Sequence, residues 1–370
     1  MIFILIGVIT VAIVYGIVIL LFCFSKNDLV ITDYQPKISI IIVARNEAEN
    51  IYGLIESLSR LKYPNHLVEI LLMDDSSEDS TVSLINSHKT MLPFDFSLFL
   101  ANDYNLIGKK KCVSFLTSVA KGEILLFTDA DCVLNSNWIE AMINPFASSK
   151  KMMVCGAVHF SNNHSFIEKI LALEFAALIQ ITFGSISRKF PFMCNAANMA
   201  IRSDVFRELK TNINHKLQSG DDVFLLKSVV DVYGPDSVAF CPQSLVSTSS
   251  SSSIASFLNQ RIRWAGKSSK SFWINSFVMS MIVLFMSLTI IFLGVMSIAE
   301  PHYIIVLLIF FLYKWGIDTI VLLSYQRYFK LFRWWLGLSV ILSVVYPVYV
   351  VIVAVLSIKK SYMWKGRMVG

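Results

Sequence analysis

Charge is scarce in this chain. Only 16% of its 370 residues are Asp, Glu, Lys or Arg and 55% are hydrophobic, against about 25% charged in an ordinary soluble domain. That composition excludes a disordered chain and argues against a wholly soluble protein. Paired cysteines are lacking as well. The six, at positions 23, 112, 132, 155, 194 and 241, contain no Cys-x-x-Cys pair and no regular spacing. This argues against a disulfide framework and a structural zinc site, and it suits a reducing compartment. Ligand-spaced histidines are absent too, since His159 and His164 flank an Asn pair in what reads as a polar loop. No Gly-rich phosphate loop of the Walker type is present. The net charge of +6 offers no nucleic-acid face: residues 25–265 sum to −2, whereas residues 266–370 sum to +8 beside the most apolar sequence.

Long uncharged runs are what the chain has in place of charge. Residues 2–24 are apolar throughout, long enough at about 20 residues to cross a bilayer core of about 30 Å. No basic segment precedes them and no small-residue cleavage site follows, so they read as an anchor rather than a signal peptide. Lys26 follows the run and places residue 25 onward in the cytoplasm. Residues 274–299, 303–323 and about 336–358 read as three further spans, and in the middle one Lys314 and Asp318 stand one turn apart as a helix-packing pair. Alternating crossings leave the basic tail (Lys359, Lys360, Lys365, Arg367) on the outer side, against the positive-inside rule, so either the tail lies at the wrong face or one C-terminal segment is re-entrant or interfacial. Residues 166–183 resemble a fifth span, but Glu168, Lys169 and Glu174 interrupt them. An amphipathic helix against the domain or the membrane surface is expected there.

Between the anchor and the later spans, strand and helix patterns alternate. Lys37–Val43, Val68–Met73 and Ile124–Thr128 read as buried strands, with helices at Asn46–Ser59, Ser77–Ser87 and Lys109–Ala120. Such alternation implies an α/β domain with a mainly parallel, Rossmann-like sheet. Ligands of open α/β sheets sit beyond the carboxyl ends of the strands. There the second strand runs into Asp74-Asp75 and the later one into Asp129-Ala130-Asp131. Two clusters of like charge converging on one crevice call for a cation, and hard oxygen donors select Mg²⁺ or Mn²⁺.

The ordered set Ala44-Arg45-Asn46-Glu47, Asp74-Asp75-x-Ser77, Gly108-Lys109, Thr128-Asp129-Ala130-Asp131, Asn195-Ala196-Ala197-Asn198-Met199, Gly220-Asp221-Asp222 and Gln260-Arg261-Ile262-Arg263-Trp264 resembles membrane-bound family 2 glycosyltransferases with a GT-A fold. The resemblance implies that Ala44, Arg45, Glu47, Asp74 and Asp75 hold the nucleoside of a UDP-sugar, and that Asp129 and Asp131 seat Mg²⁺ or Mn²⁺ on its diphosphate. It implies a base at the Asp221-Asp222 pair. The family pattern is often Glu-Asp, which makes Asp222 the expected base, with Asp221 or Ser219 as a helix cap. Gln260 and Arg263 then serve the donor, while Asn198 and Trp264 serve the acceptor. Chemistry supports cationic partners for the leaving diphosphate, with Lys109 ahead of Lys110 and Lys111, and Arg263 offering a planar fork.

The layout expected is an anchor at 1–25, a cytosolic GT-A domain at 37–265, three membrane or membrane-associated helices at 273–358 and a basic tail at 359–370. The Ser247–Ser253 run reads as a flexible connection, with a Ser capping the helix that follows. Arg261, Lys267 and Lys270 are expected at the membrane surface. Few C-terminal helices favour a lipid glycosyltransferase, as in the ceramide glucosyltransferase type, over a processive polysaccharide synthase of the cellulose or hyaluronan type, which would build its channel as a homo-oligomer. In a bacterium the protein would lie in the inner or plasma membrane.

Overall fold

The computed structural model describes residues 2–24, 32–161, 165–209, 221–249, 254–271, 273–358, 362–364 and 367–369. The chain divides into two compact units. One holds Asn27–Ser161, Met193–Ser249 and Met363–Gly370, and the other holds Met1–Lys26, Asn162–Phe192 and Ser250–Tyr362. Residues 162–192 and 250–265, within the 37–265 stretch of the sequence reading, thus cluster with the apolar helices.

In chain order the elements are α1 (Ile2–Cys23), β1 (Ile38–Ala44), α2 (Ile51–Ser59), β2 (Val68–Asp74), α3 (Thr81–His88), β3 (Asp95–Leu100) and α4 (Lys109–Val119). Then come β4 (Ile124–Asp129), β5 (Cys132–Leu134), α5 (Trp138–Ile143), β6 (Met153–Phe160), α6 (Phe166–Ser187), β7 (Met199–Arg202) and α7 (Ser203–Leu209). The last are α8 (Asp221–Tyr233), β8 (Val238–Thr248), α9 (Ile254–Ser271), α10 (Ile274–Ala299), α11 (Tyr303–Tyr325) and α12 (Trp335–Ser357).

The first unit is built on one eight-stranded sheet in the order β3-β2-β1-β4-β7-β6-β8-β5. Its β3-β2-β1-β4 half is parallel, and the strands flanking β1 are buried along most of their length, as a sheet covered on both faces requires. The other half is mixed. β7 runs antiparallel to β4 and β6, β8 parallel to β6, and β5 antiparallel to β8. The sheet is therefore mainly parallel, as the sequence suggests, with an antiparallel part that arises because short β5 and β7 turn back on their neighbours. Ser247 and Thr248 complete β8 instead of opening a flexible link, and they pair with His159 and Phe160 of β6. His159 accordingly lies in a strand, not a loop. His164, residues 250–253 and the serine cap of α9 lie outside the described residues.

The second unit is helical. Among the described residues, five helices (α1 from Leu5, α6, α10, α11 and α12) are long and apolar enough to cross a membrane. Tyr15, Ile19 and Phe22 of α1 share a buried cluster with Met286 and Leu293 of α10 and Ile317 and Val321 of α11. Lys314 and Asp318 form the ion pair that their spacing suggests, and Tyr15 donates to the same carboxylate at 2.5 Å. Outward positions such as Val295, Ile305 and Val355 are exposed, which suits a lipid-facing surface.

The α6 helix departs from the amphipathic expectation. Its residues 179–186 are buried without a break, so no continuous polar face exists. The charges that interrupt its sequence are absorbed: Glu168 closes a capping box with Ser165, and Glu174 is paired with Arg261. Length and composition would let α6 cross a membrane.

Candidate active site

Register places the acidic clusters on either side of β1. Ala44 at its end stands opposite Asp74 of β2, and Val43 stands opposite Asp129 of β4. Strands lie about 4.8 Å apart, so Asp74 and Asp129 face one crevice from about 10 Å. These are the carboxyl ends of three parallel strands, where an open α/β sheet binds its ligand.

The loops after β1 and β2 are tied to each other. The Asp75 amide donates to the Ala44 carbonyl at 2.8 Å. The buried Arg45 guanidinium donates to the carbonyls of Asp75 and Ser76 at 2.7 and 2.6 Å and pairs with Glu78 at 3.0 Å. Asn46 adopts a left-handed φ of 50°, which its side chain tolerates by accepting from the Glu78 amide at 2.8 Å. This turn delays α2 to Ile51, past the Asn46 start suggested by periodicity. Glu47 is buried, its amide on Thr81 Oγ1 at 2.8 Å and its carboxylate accepting from Asn50. Asp74 accepts from the amide and hydroxyl of Ser77, and fully buried Asp75 accepts from the Gly108 amide at 3.0 Å. Gly108 has φ 92°, a conformation that glycine adopts without a Cβ penalty, and it launches α4 with Lys109 at its first turn.

Of the three lysines there, Lys109 reaches the acids, forming an ion pair with Asp129. Burial would lower its pKa, but the carboxylates of Asp129, Asp131 and Asp222 outweigh that and hold it above the usual lysine value. Three acids from two segments, Asp129 and Asp131 in one turn and Asp222 in α8, thus act on one ammonium. Asp131 also accepts from Thr248 Oγ1 at 3.1 Å, and the Cys132 thiol lies 3.7 Å from its other oxygen. Burial first, then Asp131 and Asp129, push the Cys132 thiol well up, so it stays neutral beside the acids. Asp222, in the first turn of α8, accepts from the Val223 amide at 2.9 Å, and its carbonyl accepts from the Cys194 thiol at 3.2 Å. The Asp221 side chain, Ser219 and Gly220 lie outside the described residues.

Asn198 is placed differently from an acceptor contact. It is fully buried, its oxygen accepting from Trp138 Nε1 at 2.9 Å and its nitrogen donating to the carbonyls of Ala157, at 2.7 Å, and Ser244. The amide is consumed by the scaffold. Gly156 belongs to the same arrangement, since a Cβ there would sit 2.2 Å from Asn198 Nδ2.

Gln260, Arg263 and Trp264 lie on α9 in the helical unit. Arg261 beside them is 4% exposed and paired with Glu174, which removes it from the membrane-surface role that its charge suggests. The side chains of Lys267 and Lys270 lie outside the described residues. Thr248 is the residue that sequence reasoning missed. Its signal was the end of a strand, masked by the serine run that continues from it.

The donor set fits a divalent cation in chemistry. Asp129 and Asp131 are hard oxygen donors at one strand end, and with Asp222 they already draw a cation, the Lys109 ammonium, into their field.

Residues 39–209 match the family model described as Glycosyl transferase family 2. A poly-beta-1,6-N-acetyl-D-glucosamine synthase of Staphylococcus epidermidis is 28% identical over 159 residues, covering 42% of this chain and 37% of that protein. A UDP-Glc:alpha-D-GlcNAc-diphosphoundecaprenol beta-1,3-glucosyltransferase of Escherichia coli is 28% identical over 162 residues, covering 43% of this chain and 58% of that protein. The chain thus spans less than two thirds of the length of either relative. Among solved structures, a mannosyltransferase from Pyrobaculum calidifontis in complex with GDP-Man and Mn²⁺ superposes with a TM-score of 0.58 at 13% identity, over 96% of this chain and 97% of that one. That likeness shows the fold alone, a GT-A fold.

Proposed function

Residues 39–209 are a glycosyl transferase family 2 domain, and from that premise we propose that the chain transfers a hexose or N-acetylhexosamine from a UDP-sugar to a lipid-linked hydroxyl, inverting the anomeric carbon. The observation that carries this reading is the ion pair of Lys109 with Asp129 at the strand ends beside β1, within the electrostatic reach of Asp131 and Asp222. Cleaving a sugar from a nucleoside diphosphate leaves negative charge on the phosphate, and the acceptor hydroxyl must lose a proton as its bond forms. A site for this reaction needs cations on one side and a carboxylate base on the other.

We assign the nucleoside to Ala44, Arg45, Glu47, Asp74 and Asp75, whose mutual hydrogen bonds preform the two loops. Asp129 and Asp131 would hold Mg²⁺ or Mn²⁺, which when bound supplies electrostatic stabilisation to the departing diphosphate. Lys109 then gives up Asp129 and turns its charge to phosphate, joined in that role by Gln260 and Arg263. Asp222 takes the acceptor proton. One base opposite the leaving group suffices for direct displacement, which inverts configuration. The catalytic domain is assigned to the cytoplasm, following Lys26 and the positive-inside rule.

A lipid acceptor is supported by the apolar helices in the same chain and by a relative named for transfer to a diphosphoundecaprenol-linked sugar. Processive polymer synthesis is the second reading, favoured by the relative named as a poly-N-acetylglucosamine synthase. Incubating the purified protein with a panel of UDP-sugars, membrane lipid extract and Mn²⁺ or Mg²⁺, followed by mass spectrometry, separates them. One sugar added to a lipid supports the proposal, a ladder of polymer supports the second reading, and no transfer from any donor contradicts both.

A further inference from the structure

One heavily enclosed charge in the helical unit belongs to α9. Arg261 pairs through Nη2 with Glu174 of α6, and the two side chains are 4% and 10% exposed. Three rings wall the guanidinium: Trp264 at 4.3 Å, Phe257 at 4.7 Å and Phe175 at 5.5 Å from its central carbon. Among the described residues, two of its nitrogens, Nε and Nη1, show no hydrogen-bond partner, and the aromatic faces supply cation–π attraction. Tyr349 of α12 donates to the other Glu174 oxygen at 3.4 Å and stacks on Phe257 at 5.7 Å. Segments α6, α9 and α12 therefore meet at one ion pair.

The geometry of α9 gives this meeting point a consequence. Phe257, Arg261 and Trp264 fall at i, i+4 and i+7 and share one face of the helix. Gln260 and Arg263, three residues apart, share another, turned from Arg261 by roughly 130° at about 100° per residue. Holding the first face fixes where the second points. A buried ion pair is a costly way to gain stability alone, because desolvation consumes most of the attraction, but breaking it leaves a buried charge uncompensated. Phe257 and Trp264 turn with α9 itself, so its rotation is fixed from outside by Glu174 and Phe175 of α6, against Arg261 and Trp264, and by Tyr349 of α12, stacked on Phe257.

We propose that Arg261, Glu174 and Tyr349 are positioning residues that lock the rotation of α9, so that Gln260 and Arg263 are presented to the substrate. The inference rests on the reading of Gln260 and Arg263 given under Proposed function. It assigns Arg261 to neither lipid nor diphosphate, and it leaves Trp264 with the guanidinium on its ring.

The test uses the full-length protein in detergent with a nitroxide attached at an Asn259→Cys substitution, since Asn259 is exposed and all six native cysteines are buried. Glu174→Gln, Arg261→Met, the double variant and the milder Arg261→Lys are compared in label mobility, Mn²⁺-dependent UDP affinity and transfer kinetics. The lock predicts greater label mobility in Glu174→Gln and in Arg261→Met, and a kcat roughly tenfold or more lower, in line with the sensitivity of catalysis to small misplacements. UDP affinity should fall as well, because Gln260 and Arg263 serve the diphosphate, but by less than kcat, because the preformed nucleoside loops are spared, and the double variant should be no worse than either single, as expected of residues acting as one unit. Arg261→Lys keeps the charge but loses the plane, and should fall between. Unchanged mobility, or losses in the singles that multiply in the double variant, would overturn the lock. If the wild-type protein transfers no sugar from any donor, the functional reading fails while the label still decides the positioning claim.

Discussion

Thr248 at the end of β8 donates its hydroxyl to Oδ2 of Asp131, beyond the end of β4, across 3.1 Å. The bond joins the two halves of the sheet at the proposed metal seat, and it orients the carboxylate. Thr248 is itself fixed, its carbonyl accepting from the Ser161 amide at 3.0 Å.

Outer partners of metal ligands are commonly worth 10- to 100-fold in affinity. Thr248→Val, which keeps shape and removes the hydroxyl, should therefore weaken Mn²⁺ binding by roughly tenfold, read by the fraction of free Mn²⁺ in electron paramagnetic resonance. Thr248→Ser should restore most of the affinity. Equal affinity in the Val variant and the wild type would show that Asp131 needs no such support or binds no metal.

Asp222 carries the base assignment. Asp222→Asn keeps the size of the side chain and removes its ability to accept a proton, so transfer should drop by about 10²- to 10⁴-fold. UDP affinity should stay near that of the wild type. A larger loss from Asp221→Asn would move the base to the neighbouring residue.

The scaffold around Asn198 predicts a change in stability instead. Gly156→Ala would set a Cβ 2.2 Å from Asn198 Nδ2, against an amide held by Trp138, Ala157 and Ser244. Overpacking of this kind costs about 1–3 kcal/mol, and the unfolding midpoint of the purified protein should fall accordingly. An unchanged midpoint would mean that the amide can shift without loss.

Much of this was legible in the sequence, for identifiable reasons. β1, β2 and β4 are covered on both faces, so they appear as unbroken Ile, Leu and Val runs whose ends expose the acidic clusters. β3 is an edge strand whose residues are only partly buried, and its pattern is correspondingly weak. Strands β5 and β7 span three and four residues, too few for alternation to register, which hid the mixed character of the sheet. The start of α2 was obscured because the left-handed turn at Asn46 depends on Ser77 and Glu78, some thirty residues away. Charge suggested the membrane surface for Arg261, and the resemblance suggested the acceptor for Asn198; both are enclosed by partners that no local window reveals.

The central claim is that Asp129 and Asp131 seat a divalent cation on which nucleotide binding depends. Calorimetry with UDP tests it most directly, using the purified wild-type protein with Mn²⁺, the same protein after chelation, and Asp131→Ala with Mn²⁺. The account predicts measurable affinity in the first case and its collapse in the other two. Affinity that survives both chelation and Asp131→Ala would contradict the metal seat.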